Sequence, residues 1–150
     1  MVFERTQKTK LIPQGRISLW RYTENARNYP GWHLNVDVEG GQFLCNLLDG
    51  FLAGGVGPRA IRITPPTSKQ LSVPNNRVGR AAWFAPTEWV LVPDANLGTW
   101  LFPSAPSEAM LTLGAEYIPP LRKGIAGLLA GQGDYAIGNT RSRDVLWFWW

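Results

Sequence analysis

Trp32-His33-Leu34-Asn35-Val36-Asp37-Val38-Glu39, followed by the run that begins at Phe43, decides how this chain folds. Apolar and polar residues alternate strictly from Trp32 to Glu39, which is the period of a strand with one buried and one wet face. Gly40-Gly41 breaks the alternation and reads as a tight turn. From Phe43 the period changes, and Phe43, Leu44, Leu47, Leu48, Phe51 and Leu52 form one broad apolar stripe at helical spacing. Leu47 and Phe51 are expected to bury against the Trp32–Val38 strand. Gly54-Gly55 ends the helix where a left-handed cap is wanted, and Arg59 to Thr64 alternates again as a second strand.

Working outward, Arg16 to Tyr22 is rich in β formers and reads as a strand that a turn over 23–31 pairs antiparallel with Trp32–Glu39. Residues 1–15 are polar, basic and aperiodic, so they predict a loose arm or a short edge strand. Pro65 to Pro86 is the longest irregular stretch, and aperiodic segments of that length inside compact domains are often functional. Thr87–Val92 and Thr99–Phe102 predict a hairpin across Pro93–Gly98. Glu108–Leu113 is read as a strand. Leu121, Ile125, Leu128 and Leu129 recur at helical spacing after Pro119-Pro120, with Gly131 as the stop. A last hairpin joins Asp134–Gly138 to Val145–Trp150.

The chain of 150 residues is 45% apolar and 17% charged, enough for one globular domain without disulfides. Its one cysteine, Cys45, rules out an intrachain disulfide and makes a reducing, cytoplasmic setting the default. No stretch approaches the roughly 20 apolar residues that span a bilayer, so no membrane partner is expected. The net charge of +4 is segmented: residues 1–27 and 59–87 are basic, whereas 28–58 carries only acids. The 59–87 segment holds Arg59, Arg62, Lys69, Arg77 and Arg80 and no acidic residue.

Sites of known chemistry are scarce. His33, the only histidine, shares a strand face with Asn35 and Asp37, so His33 and Asp37 are the weak candidates for an acid–base pair. One His and one Cys cannot supply a zinc site, and Asp37 and Glu39 lie in no loop with ligand spacing for a harder cation. No metal or cofactor is expected. Cys45 reads as a packed side chain, and no Gly-x-Ser-x-Gly motif is present. Gly54-Gly55-Val56-Gly57 follows a helix, the wrong order for a phosphate loop, and Asp37 and Glu39 beside Gly40-Gly41 would repel an anion. The basic loop from Arg59 to Arg80, followed by Trp83-Phe84, is the best ligand surface, with cations for an anionic ligand and Trp83 or Phe84 to stack on a base. Eight tryptophans are many for this length. The terminal Trp147-Phe148-Trp149-Trp150 places aromatics on both faces of a strand, one of which is expected to meet a partner.

The expectation is a single α+β domain, a mostly antiparallel sheet of about six strands with two helices packed on one face. The leading functional expectation is a non-catalytic interaction protein, of immunity or accessory type, that binds a protein partner or forms a homodimer. Its binding residues would be Arg59, Lys69, Arg77, Arg80, Trp83, Trp149 and Trp150. A single-stranded nucleic-acid binder using the basic loop 59–84 is the alternative. A small hydrolase or transferase using His33 and Asp37 comes third.

Overall fold

The central helix starts at Val38, before the apolar period begins, because Asp37 is its cap. The Asp37 backbone is extended and its Oδ1 accepts hydrogen bonds from the Gly40 N–H (2.8 Å) and the Arg16 N–H (2.9 Å). An aspartate at this position satisfies an orphan donor of the first turn and complements the helix dipole. Gly40 and Gly41, expected to turn the chain, are helical instead. A Cβ on Gly40 would collide with the Arg16 carbonyl, and one on Gly41 with the Leu129 side chain. They are glycines of close approach, a role that sequence spacing does not distinguish from a turn.

A computed structural model of the chain describes residues 9–54, 57–74, 76–94, 96–97, 100–101, 109–132, 135–138 and 145–149. Most of the basic arm and Trp150 lie outside them. In chain order the strands are β1 (Thr9–Leu11), β2 (Ile17–Tyr22), β3 (Trp32–Val36), β4 (Arg59–Arg62), β5 (Trp83–Phe84), β6 (Glu88–Asp94), β7 (Trp100–Leu101), β8 (Met110–Gly114), β9 (Tyr135–Gly138) and β10 (Val145–Phe148). The helices are α1 (Val38–Ala53), α2 (Ser68–Ser72) and α3 (Ile118–Leu129).

The strands form two five-stranded sheets, not one sheet of about six. The first has the order β1-β4-β6-β8-β7 and the second β5-β2-β3-β10-β9. Among the described residues the second is mostly antiparallel, with β3 and β10 its one parallel pair, whereas the first is evenly mixed, with β1 and β4 and β6 and β8 parallel. The expected hairpin of β6 and β7 is also corrected. β8 inserts between them, parallel to β6 and antiparallel to β7. Period-two alternation fixes which residues share a face, but it carries no information about which strand lies alongside.

One face of each sheet meets the other across a single core. Ile17, Leu19, Leu34, Leu146 and Phe148 come from the second sheet, and Ile61, Trp89, Leu91, Leu111 and Leu113 from the first. Helices α1 and α3 pack on one another and on β3, contributing Leu44, Leu48, Phe51, Leu121 and Ile125 to the same core. Leu47, expected at the centre, is only partly buried at its margin. The Arg122 guanidinium clamps Asp49 across α1 and α3 with bonds of 2.6 and 3.1 Å and holds that carboxyl below its usual range. The third helix, α2, belongs to the 65–86 stretch and covers the opposite face of the second sheet.

Candidate functional site

That opposite face carries every described second residue of β2, β3 and β10: Ser18, Trp20 and Tyr22, then His33 and Asn35, then Val145 and Trp147. Register places Trp20, His33 and Trp147 directly across from one another. Their rings form a nearly parallel row, with the His33 centroid 5.6 Å from that of Trp20 and 6.1 Å from that of Trp147. Trp149 stacks at 6.1 Å from His33, and the Tyr22 ring meets His33 edge-on at 4.9 Å. Cross-strand aromatic contacts of this kind stabilise a sheet beyond the area they bury.

The imidazole at the centre is 0% exposed and its tautomer follows from its partners. The Trp149 indole N–H can only donate, and it lies 2.9 Å from His33 Nδ1, so Nδ1 carries the lone pair. The proton therefore sits on Nε2, which donates to the Tyr29 carbonyl at 3.2 Å. Burial lowers the His33 pKa to about 3, opposed by the Tyr29 carbonyl. At neutral pH this ring is an uncharged, fully bonded packing element. Asp37, the other member of the expected acid–base pair, is committed to the α1 cap.

Trp149, one of the expected binding residues, lies inward at 7% exposure. Its N–H bonds to the Leu34 carbonyl, and its own carbonyl accepts from Asn35 Nδ2 at 2.8 Å. Asn35 Oδ1 in turn accepts from Gln70 Nε2 at 2.7 Å, and Gln70 completes a capping box with Thr67 at the start of α2. The reason Trp149 is covered is this irregular stretch, which folds back as a lid. Leu71, Val73, Ala81 and Ala85 pack against Trp20, Tyr22 and Trp149 in a second apolar cluster. The Tyr22 hydroxyl donates to the Leu71 carbonyl, and burial raises the pKa of that phenol.

A polar latch fixes the lid to the turn after β2. Asn76, 0% exposed, donates through Nδ2 to the Glu24 and Asn25 carbonyls (3.3 and 3.4 Å) and accepts from Asn25 Nδ2 at 2.8 Å. The Ala82 N–H donates to Glu24 Oε1 at 3.1 Å, and Thr23 N–H to the Ala82 carbonyl at 3.0 Å. Directly after Asn76 the backbone turns left-handed at Arg77 (φ 51), Val78 (φ 57) and Gly79 (φ 77). A β-branched residue there is a real outlier, and Val78 is 78% exposed.

The sequence-selected residues divide accordingly. Lys69, Arg77, Arg80 and Trp83 lie on the lid, all on its exposed side. Arg59 is elsewhere, on β4 of the first sheet, its guanidinium donating to the Gly57 and Pro58 carbonyls. Trp149 is inside, and Trp150 lies outside the described residues. Val78 and Asn76 were not singled out by sequence reasoning. The turn residues Pro74 and Gly79 mark where the chain bends, but nothing local reports the handedness at Val78.

Among the described residues no three His, Cys, Asp or Glu side chains gather as a metal site would require, and no helix is long and apolar enough to cross a membrane. Comparison with protein-family models, with curated proteins and with solved structures gave no match.

Proposed function

We propose that the chain is a non-catalytic binding protein that engages a protein partner through the outer side of the 65–86 lid. The observation that carries this reading is Val78. A bulky residue held left-handed costs about 1–3 kcal/mol, and such strain persists only where the surroundings over-determine it. Here the buried Asn76 latch supplies the constraint, and what it holds out to solvent is an aliphatic side chain between two arginines. Glycine or asparagine would meet the same turn with less strain. Rigid presentation of an exposed apolar residue lowers the ordering cost of association. An accessory role of immunity type, in which binding blocks the partner, is the same proposal in a biological setting.

A second reading, single-stranded nucleic-acid binding, draws on Trp83, which is 39% exposed on a lid that also carries Lys69 and Arg80. The exposed aliphatic tip favours the protein partner over it. Acid–base chemistry by His33 and Asp37 finds no support in their burial and bonding.

The test is affinity capture from the native host with wild-type protein, a Val78→Asp/Arg80→Glu variant and a Lys123→Glu control on exposed α3. A protein retained by wild type and control and lost with the lid variant is the expected result. A retained set indifferent to the lid changes refutes the proposal, and nuclease-sensitive retention transfers it to the second reading.

A further inference from the structure

We infer that the lid binds an acidic segment of its partner, one whose carboxylates meet Lys69, Arg77 and Arg80 while an apolar side chain of that segment covers Val78. The inference rests on the binding function proposed above and names the chemistry of the ligand. Its first support is the composition of the lid itself, 65–86, which holds Lys69, Arg77 and Arg80 and no acidic residue. The lid's inner side is filled by Leu71, Val73 and Ala81 and by the uncharged amides of Gln70 and Asn76. Its cations are therefore confined to the outer side, where Lys69, Arg77 and Arg80 are all exposed.

The second support is how little holds those cations internally. Among the described residues neither Lys69 nor Arg80 pairs with a carboxylate, and Arg77 meets Glu24 at 3.6 Å with both side chains about half exposed. An ion pair so exposed stabilises little, so an incoming carboxylate can replace it at small cost. Glu24 would keep its bond from the Ala82 N–H through Oε1. The third support is that the described side chains offer only one exposed tryptophan for stacking. Of the tryptophans whose side chains are described, Trp83 alone is exposed, whereas strand-binding proteins stack successive bases on several aromatics. Exposed cations on the same lid as an exposed aliphatic side chain fit carboxylates interleaved with apolar side chains. Such a positive face also steers an acidic partner toward the lid before contact.

The probe is a short labelled peptide of glutamates interrupted by leucines, followed by fluorescence anisotropy. A glutamate-only peptide and single-stranded oligo-dT are run in parallel. The leucine-containing peptide should bind tightest, and its affinity should fall at least about tenfold between about 0.1 and 1 M salt, where the screening length shrinks from about 10 to about 3 Å. Arg80→Glu should lower affinity by about tenfold or more. Val78→Gly relieves the left-handed strain, so it should lower affinity while the melting temperature holds or rises, which separates lost contact from lost fold. Tighter binding of oligo-dT, or affinity unchanged in Arg80→Glu and Val78→Gly, overturns the inference. If neither peptide binds but the lid variant still loses a captured protein, acidic chemistry falls and the binding function stands. Lid changes without effect on peptide and captured protein alike remove both.

Discussion

Acidification from pH 7 to pH 5 should weaken the fold through His33. The ring is enclosed by Trp20, Tyr22, Tyr29, Trp147 and Trp149, with both nitrogens bonded and no charged side chain among its ring contacts. Its folded pKa is lowered to about 3, while an unfolded chain should titrate near 6.5. With the folded value the lower one, the unfolded state binds the extra proton between these limits. The stability is therefore present above about pH 6.5 and is lost as pH falls. Over that interval the slope approaches one proton, about 1.4 kcal/mol per pH unit, and the loss from pH 7 to pH 5 comes to about 2 kcal/mol. For a chain of this length that is about 4–8 °C in melting temperature. His33 is the only histidine, the side-chain type whose ordinary range falls inside this window. Urea titrations followed by tryptophan fluorescence at pH 7, 6 and 5 measure the slope, and NMR of the single imidazole reads its protonation. His33→Phe should abolish the slope. It should also cost about 1–3 kcal/mol at pH 7 by leaving the Trp149 N–H unpaired. An imidazole that titrates near 6.5 in the folded protein, with flat stability from pH 7 to 5, would refute the buried, neutral ring.

Leu48→Ala should cost about 2–5 kcal/mol and Leu47→Ala clearly less, because Leu48 is fully buried and Leu47 sits at the core margin; equal shifts in urea midpoint would misplace the helix face. Gly124→Ala should destabilise despite the better helix propensity of alanine, since its Cβ would stand 2.7 Å from the Phe148 ring, and overpacking costs about 1–3 kcal/mol; a raised melting temperature contradicts that packing. Asn76→Ala should cost about 1–3 kcal/mol and speed hydrogen exchange across the lid more than in β6 or β8; uniform exchange would show that the latch does not hold the lid. Asp37→Ala should cost about 1 kcal/mol and fray the first turn of α1 by NMR, an effect absent if the helix begins at Phe43.

The sequence by itself determined most of the strands, the two long helices and which of their residues share a face. Alternation over Trp32–Val36 placed Trp32 and Leu34 together and His33 and Asn35 together, and the helical stripe identified Leu44, Leu48 and Phe51 as neighbours. It also separated Leu146 and Phe148 from Val145 and Trp147, because side-chain direction depends only on the chain's own geometry. Which face meets what is a long-range matter. His33 shares its strand face with solvent or with a lid depending on where 65–86 returns, and that return rests on contacts such as Asn35 with Gln70 and Tyr22 with Leu71. The same return decided that Trp149 packs inward against Leu71 and its neighbours rather than toward a partner. Gly40-Gly41 reads as a turn in any local window and becomes helical only because Asp37 caps the helix and Arg16 and Leu129 crowd the spot. On the lid, composition alone marked Lys69, Arg77, Arg80 and Trp83 as exposed cations and an aromatic. That Val78 stands left-handed at its tip required the tertiary structure, since no local preference of valine selects that conformation, and the long-range bonds that anchor this turn run through Asn76.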